Sequence, residues 1–249
     1  MGQSTSEAGR LRRRIERYGS CMANIRWHIT EILFLRRREL HSLLQSIAED
    51  GPEAETTMRV VHVIRYAYLN VRFVLEQIAF GMALAHYDAL RDRKLLDWKP
   101  KTIITALKRV PVSDFYPTPV QSSAEHLSLQ EFLTSYGLVN RVLHTGNPLN
   151  MEKRESIDRL TTAPANDATK VLKQARQMTA TLNGIRNLLV EHRVTNSFEG
   201  CDAWLVRMCD EEGQIRLSTR SQSHSIECDS PFQWRDREGI EFWRHGRVP

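Results

Sequence analysis

The sequence predicts a mainly α protein: a bundle of about five helices led by a long antiparallel pair, with a small C-terminal β-hairpin. Three observations carry that expectation. Apolar residues recur at helical spacing through long charged segments, Gly-Pro and Pro-rich breaks divide those segments, and alternation with period two begins only after His192. The expected division is a helical domain over 1–192, followed over 193–249 by a hairpin appendage and a basic, Trp-bearing tail.

From about Leu11 to Glu49, Ile25, Ile29, Ile32, Leu33, Leu40, Leu43, Leu44 and Ile47 fall at helical spacing, which predicts one long helix. Glu49-Asp50-Gly51-Pro52 ends it, because Gly suits the left-handed position after a helix and Pro cannot continue the ladder. A second long helix is expected from about Glu53 to Arg93, antiparallel to the first across that short connection. Pro100 fits the first turn of a short helix reaching Arg109, and Pro111, Pro117 and Pro119 mark an ordered crossing or loop. Ser128 and Glu131 have capping-box spacing, and Leu129, Phe132, Leu133, Tyr136, Val139 and Leu143 continue a helix to about His144. A short helix near Met151–Leu160 and a long one from about Asp167 to Glu191 complete the helical part. Residues 203–208 and 214–219 then alternate around the turn Asp210-Glu211-Glu212-Gly213, with a third strand expected near Ser223–Glu227.

The 249 residues are 41% hydrophobic and 26% charged, with 12 Gly and 9 Pro, which excludes disordered, collagen-like and disulfide-scaffold classes. A chain of this length buries roughly 70 to 75% of its unfolded surface and needs no metal to fold. The longest apolar stretch, Val60–Ala85, is broken by Arg65, Arg72 and Glu76, so a transmembrane segment is not expected. No apolar leader is legible in the first residues, although Gly2 and Ser6 fit the myristoylation pattern. Four unevenly spaced cysteines point to a reducing cytoplasmic setting.

Positive charge is concentrated at the start. Residues 1–41 hold nine Arg against four Glu, an excess equal to the formal charge of +5 for the whole chain. Triplets at Arg12–Arg14 and Arg36–Arg38 form a candidate footprint for phosphate backbones; a solvated helix face is the plainer explanation.

Polar residues cluster at three places. His62, Arg65, Arg72 and Glu76 share an arc of roughly 80° on the second helix, which must face a salt-bridge seam, a polar cleft or water. Arg141 and His144 lie three apart at a helix end followed by Thr145-Gly146-Asn147-Pro148, either as a cap or as an alternative site with Arg72 and Glu76. Arg186-Asn187 is followed after four residues by His192 at the end of the last long helix. This spacing resembles the signature of the HEPN superfamily of helical ribonucleases and nucleotide-binding proteins. The resemblance implies a homodimer that cleaves RNA without metal to leave a cyclic phosphate. Arg186 would stabilise phosphorane charge, His192 would act as general acid/base, and Asn187 would orient the phosphate. Six positions on an ideal helix span about 240°, so Arg186 and His192 converge only if the helix ends between them.

Cys201, Cys209, His224 and Cys228 lack the paired spacing of structural zinc sites, and no metal or other cofactor is expected. There is no Walker A loop, Gly-x-Gly-x-x-Gly, Gly-x-Ser-x-Gly or His-Glu-x-x-His. Two functions are therefore expected in competition. One is a HEPN-like RNA-processing or defence protein, an endoribonuclease in its catalytic form, with RNA and a second copy as partners. The other is a noncatalytic helical module that docks a partner protein.

Overall fold

The computed structural model describes residues 7–50, 54–90, 99–110, 114–121, 125–144, 164–195, 203–219, 223–226 and 240–246. Over these residues the protein is mainly helical with a small antiparallel sheet. Helix α1 (Glu7–Leu35) runs into a π-helical turn at Arg36–Leu40, then into α2 (His41–Asp50) and α3 (Ala54–Ala85). With 29 and 32 residues, α1 and α3 are roughly 43 and 48 Å long.

Those two helices are antiparallel along their length. Arg14 donates to Asp88 at 2.6 Å just beyond the end of α3, Tyr18 meets Gly81, and His28 Nδ1 lies 2.8 Å from Asn70 Oδ1. A Cβ at position 81 would stand 3.1 Å from the Tyr18 ring, so glycine there sets the spacing of the pair. Their shared seam holds Ile25, Ile29, Ile32, Val71, Val74 and Ile78, all buried.

The first helical run is continuous from Glu7 to Asp50, as periodicity predicts, but it carries a π turn that periodicity does not show. Arg36 falls seven residues after buried Ile29, on the core-facing stripe, where a guanidinium is costly to bury. The extra residue of the π turn re-aims the chain there, and His41 N–H caps the Arg36 carbonyl. The second helix is interrupted: the chain turns at His86 and resumes as α4 (Tyr87–Leu90), and the expected end at Arg93 lies outside the described residues.

Helix α5 (Pro100–Leu107) begins with proline in its first turn. Helix α6 (Leu129–His144) has the capping box: Ser128 N–H donates to Glu131 Oε2 at 2.8 Å and Glu131 N–H to Ser128 Oγ at 3.3 Å. Helix α7 (Pro164–Leu189) packs on α3, where Tyr68 donates to the Gln174 carbonyl at 3.0 Å. The short helix expected near Met151–Leu160 lies outside the described residues.

A five-stranded antiparallel sheet, larger than the expected hairpin, closes one side of the bundle. Its strands are β1 (Thr118–Pro119), β2 (Glu191–Thr195), β3 (Ala203–Arg207), β4 (Ile215–Ser218) and β5 (Ser223–Ile226), paired in that order. Strand β2 stands where the sequence predicts the end of a helix: α7 stops at Leu189, and His192 pairs across to Pro119 and Val206. Val194, Trp204, Val206, Ile215 and Leu217 point inward and belong to the same core as the helices. Between β3 and β4, Asp210 accepts from the Glu212 and Gln214 amides at 2.9 and 2.8 Å, and Gly213 takes φ +84, which a side chain would strain. Buried Arg26 of α1 donates to the Gly213 carbonyl and ties helix to turn. Beyond residue 239 a last helix, α8 (240–245), buries Phe242 and Trp243 completely.

Two histidines, His86 and His192, are fully buried, and burial pushes each pKa from 6.5 down to about 4. The unfolded chain binds these protons below pH 6.5 and the folded chain does not, so stability is complete above that pH and is lost as pH falls towards 4. The loss should reach a few kcal/mol for each histidine. Urea unfolding across this window should show the decline, and His192→Gln should flatten it; an unchanged slope would contradict the assignment.

Candidate functional site

The residues of the Arg-x-His motif do not meet at a surface. Helix α7 ends between them, which meets the geometric condition for convergence, but the side chains diverge to different partners. His192 lies in the core at 0% exposure, with Nδ1 2.8 Å from the Leu189 carbonyl and Nε2 3.1 Å from the Tyr18 hydroxyl. Both ring nitrogens are thereby engaged, and the depressed pKa keeps the ring neutral.

Arg186 serves the C-terminal turn. Its Nε donates to the Phe242 carbonyl at 2.6 Å, and Nη2 reaches the Trp243 and Arg244 carbonyls at 3.1 and 3.3 Å. These are the last carbonyls of α8; that of Phe242 also accepts from the Gly246 amide at 2.9 Å, and Arg186 adds a charged donor to all three. Gly246 follows at φ +68, and a Cβ there would stand 3.1 Å from the guanidinium carbon. Burial lowers the Arg186 pKa without an acid beside it, since its acceptors are carbonyls and the Asn187 amide oxygen. Asn187 itself donates to the Glu125 carbonyl at 2.7 Å and so fixes the loop that enters α6. In the single chain all three motif residues act as structural ties.

The polar stripe of α3 divides in two. His62 and Arg65 are exposed, whereas Arg72 Nε donates to Glu76 Oε1 at 2.8 Å and Tyr136 of α6 donates to the same oxygen at 3.2 Å. The hydrogen bond to Glu76 raises the Arg72 pKa. Arg72 and Glu76 thus form an internal seam between α3 and α6. Arg141 is exposed further along α6, His144 closes that helix, and the Thr145–Pro148 turn lies outside the described residues. No described contact brings Arg141 to Arg72 or Glu76. Among the described residues no group of three or more His, Cys, Asp or Glu is placed to hold a metal, and Cys201 and Cys228 lie outside them.

What the molecule presents outward is the opposite face of α1. Arg10, Arg13, Arg17, Ser20, Asn24 and Trp27 recur at three- and four-residue steps and are all exposed. Trp27 packs edge-on against His28 with ring centroids 4.7 Å apart, and His28 stacks on Phe73 of α3 at 5.0 Å. Tyr66, seven residues before Phe73, continues the aromatic row on α3, with 47% of its surface exposed against 39% for Trp27 and 38% for Phe73. Further on, the Arg38 guanidinium lies 5.9 Å from the centre of the Phe34 ring. Among the described residues Arg10, Arg13 and Arg17 pair with no carboxylate. Sequence reading found the arginine excess but missed these aromatic partners, because Trp27 and Phe73 sit in runs otherwise read as core.

Comparison with family models, with curated proteins and with solved structures finds no match to this chain. No described helix is long and apolar enough to cross a membrane.

The tie between Arg186 and α8 has a direct consequence. Arg186→Met should cost about 1–3 kcal/mol by leaving the end carbonyls of α8 without their charged donor. Tryptophan emission should shift to the red as Trp243 gains access to water. Unchanged emission and stability would show that the turn does not depend on Arg186.

Proposed function

We propose that this protein binds single-stranded RNA along the exposed face of α1 and the adjoining aromatic row of α3, with Arg186 and His192 supporting the fold rather than cleaving the strand. The observation that carries the reading is a line of exposed arginines, without a carboxylate partner among the described residues, that leads to exposed rings: Arg13 and Arg17 along α1 to Trp27 and, on α3, Phe73. Arginines neutralise phosphates, and aromatic faces accept bases of any sequence, so together they make a sequence-tolerant track for a single strand. Duplex RNA hides its base faces and gains only the electrostatic part. A role in RNA processing or defence, of the kind the HEPN resemblance implies, first requires such a means of holding RNA.

One observation favours the catalytic reading: the end of α7 at Leu189 removes the helical geometry that would separate Arg186 from His192. For catalysis the C-terminal turn would have to release Arg186, and His192 would have to leave Tyr18. The module reading draws on the same rings, because Trp, Tyr and Arg also anchor protein interfaces.

Fluorescence anisotropy with a labelled oligouridine separates these readings. Wild type should bind the single strand more tightly than a duplex, and Trp27→Ala or Phe73→Ala should each weaken binding about tenfold, within the stacking range of 1–3 kcal/mol. Arg13→Ala and Arg17→Ala should each reduce the salt slope by about one. No binding at low salt, or binding indifferent to all four substitutions, would overturn the proposal in favour of the protein-docking module. Metal-independent cleavage in EDTA that disappears in a folded His192→Gln variant would restore the catalytic reading.

A further inference from the structure

A second feature of the molecule lies away from the α1 track, where the π turn and α2 face α7. A groove of about 270 Å³ opens there, lined by Arg36, His41 and Arg176 with Leu40, Leu44 and Met178. Among the described residues no acidic side chain lines it, and none of the three basic side chains pairs with a carboxylate. That is an unusual balance for a cleft, since positive groups gathered without counter-charge repel one another and favour an anion between them.

Arg36 is the informative member. It opens the π turn and lines the groove, where Nη1 donates to Thr179 Oγ1. Thr179 in turn donates to the Ala175 carbonyl at 3.0 Å, so the hydroxyl is fixed and the guanidinium is oriented by it. The remaining N–H groups of the fork have no partner among the described residues, and partial burial without an acid lowers the Arg36 pKa. A half-buried cation held in a set orientation beside a second arginine suits a tetrahedral dianion, because each guanidinium can present two parallel donors to phosphate oxygens. The groove is too small for a long chain, and Leu40, Leu44 and Met178 supply an apolar wall without an aromatic platform.

The geometry points to a binding site for a small organic phosphate, with its phosphate held by Arg36, Arg176 and His41 and its apolar body laid against Leu40, Leu44 and Met178. This site is independent of the RNA track: none of its residues lies on the Arg13–Trp27 face. A nucleoside monophosphate and an alkyl phosphate share the recognisable chemistry, a phosphate monoester on an organic body with a face that can lie against an apolar wall.

Isothermal titration of the full chain with AMP, octyl phosphate and inorganic phosphate tests the site. At least one organic phosphate should bind ten times more tightly than inorganic phosphate, which lacks the apolar body. Arg176→Met, at an exposed position, should weaken that binding at least tenfold, and Arg36→Met should do so more strongly with the helical circular dichroism of wild type. Trp27→Ala should leave it unchanged, which separates failure here from failure of the RNA proposal. Tighter binding of AMP than of octyl phosphate would identify a nucleotide site and the reverse a lipid-type site, each upholding the assignment. If no organic phosphate binds more tightly than inorganic phosphate, or if Arg176→Met binds as wild type does, the site is refuted.

Discussion

The ring of His192 joins three elements at one point in the core. One nitrogen meets the last carbonyl of α7, the other meets Tyr18 of α1, and the backbone between them starts the strand that organises the sheet. A neutral imidazole suits this place because it donates at one nitrogen and accepts at the other, which a protonated ring cannot do. Both bonds lie where no water competes, so each supports the other and an unpaired nitrogen would be costly. The helix-to-strand change at Leu189 and the seating of Trp204 against Tyr18, with ring centroids 5.2 Å apart, follow from this junction.

Arginines repeat the same logic at the ends of elements, buried at Arg26 and half-buried at Arg186. Arg26 holds the turn at Gly213, and Arg186 holds the carboxyl end of α8. Arg244 returns from α8 to the Asp210 carbonyl at 2.7 Å. Each cation is taken up by backbone carbonyls, so loops far apart in sequence are pinned to the bundle. Arginine is suited to this because its planar fork reaches several acceptors at once and is more weakly hydrated than an ammonium. Other arginines face outward, among them those on the outer face of α1 and, on other elements, Arg65 and Arg141.

Much of the fold is legible where a local rule has a single physical outcome. Ser128 and Glu131 form the capping box that their spacing predicts, and Asp210 to Gly213 makes the turn between paired strands. The misreadings arise where tertiary contacts override local pattern. Leu188-Leu189-Val190 continues a helical apolar pattern, yet pairing of the following residues with β1 and β3 makes them a strand. Nothing local announces the π turn, since it answers an arginine on a core-facing stripe. At the candidate site, the Arg186 and His192 spacing is visible but their use is not: an arginine that caps carbonyls and one that grips phosphate look the same in sequence. Trp27 and Phe73 could have been found by setting α1 and α3 side by side, since both fall just off the buried stripe.

On the proposed reading, inward-facing polar groups maintain the fold and an outer track meets RNA. Photocrosslinking of the wild-type chain to RNA containing 4-thiouridine, followed by mass spectrometric mapping, reads that division without altering a residue. Crosslinks should concentrate on the peptides that carry Trp27, Phe34 and Phe73. Crosslinks confined to the segment from Arg186 to His192, or none above background, would contradict it.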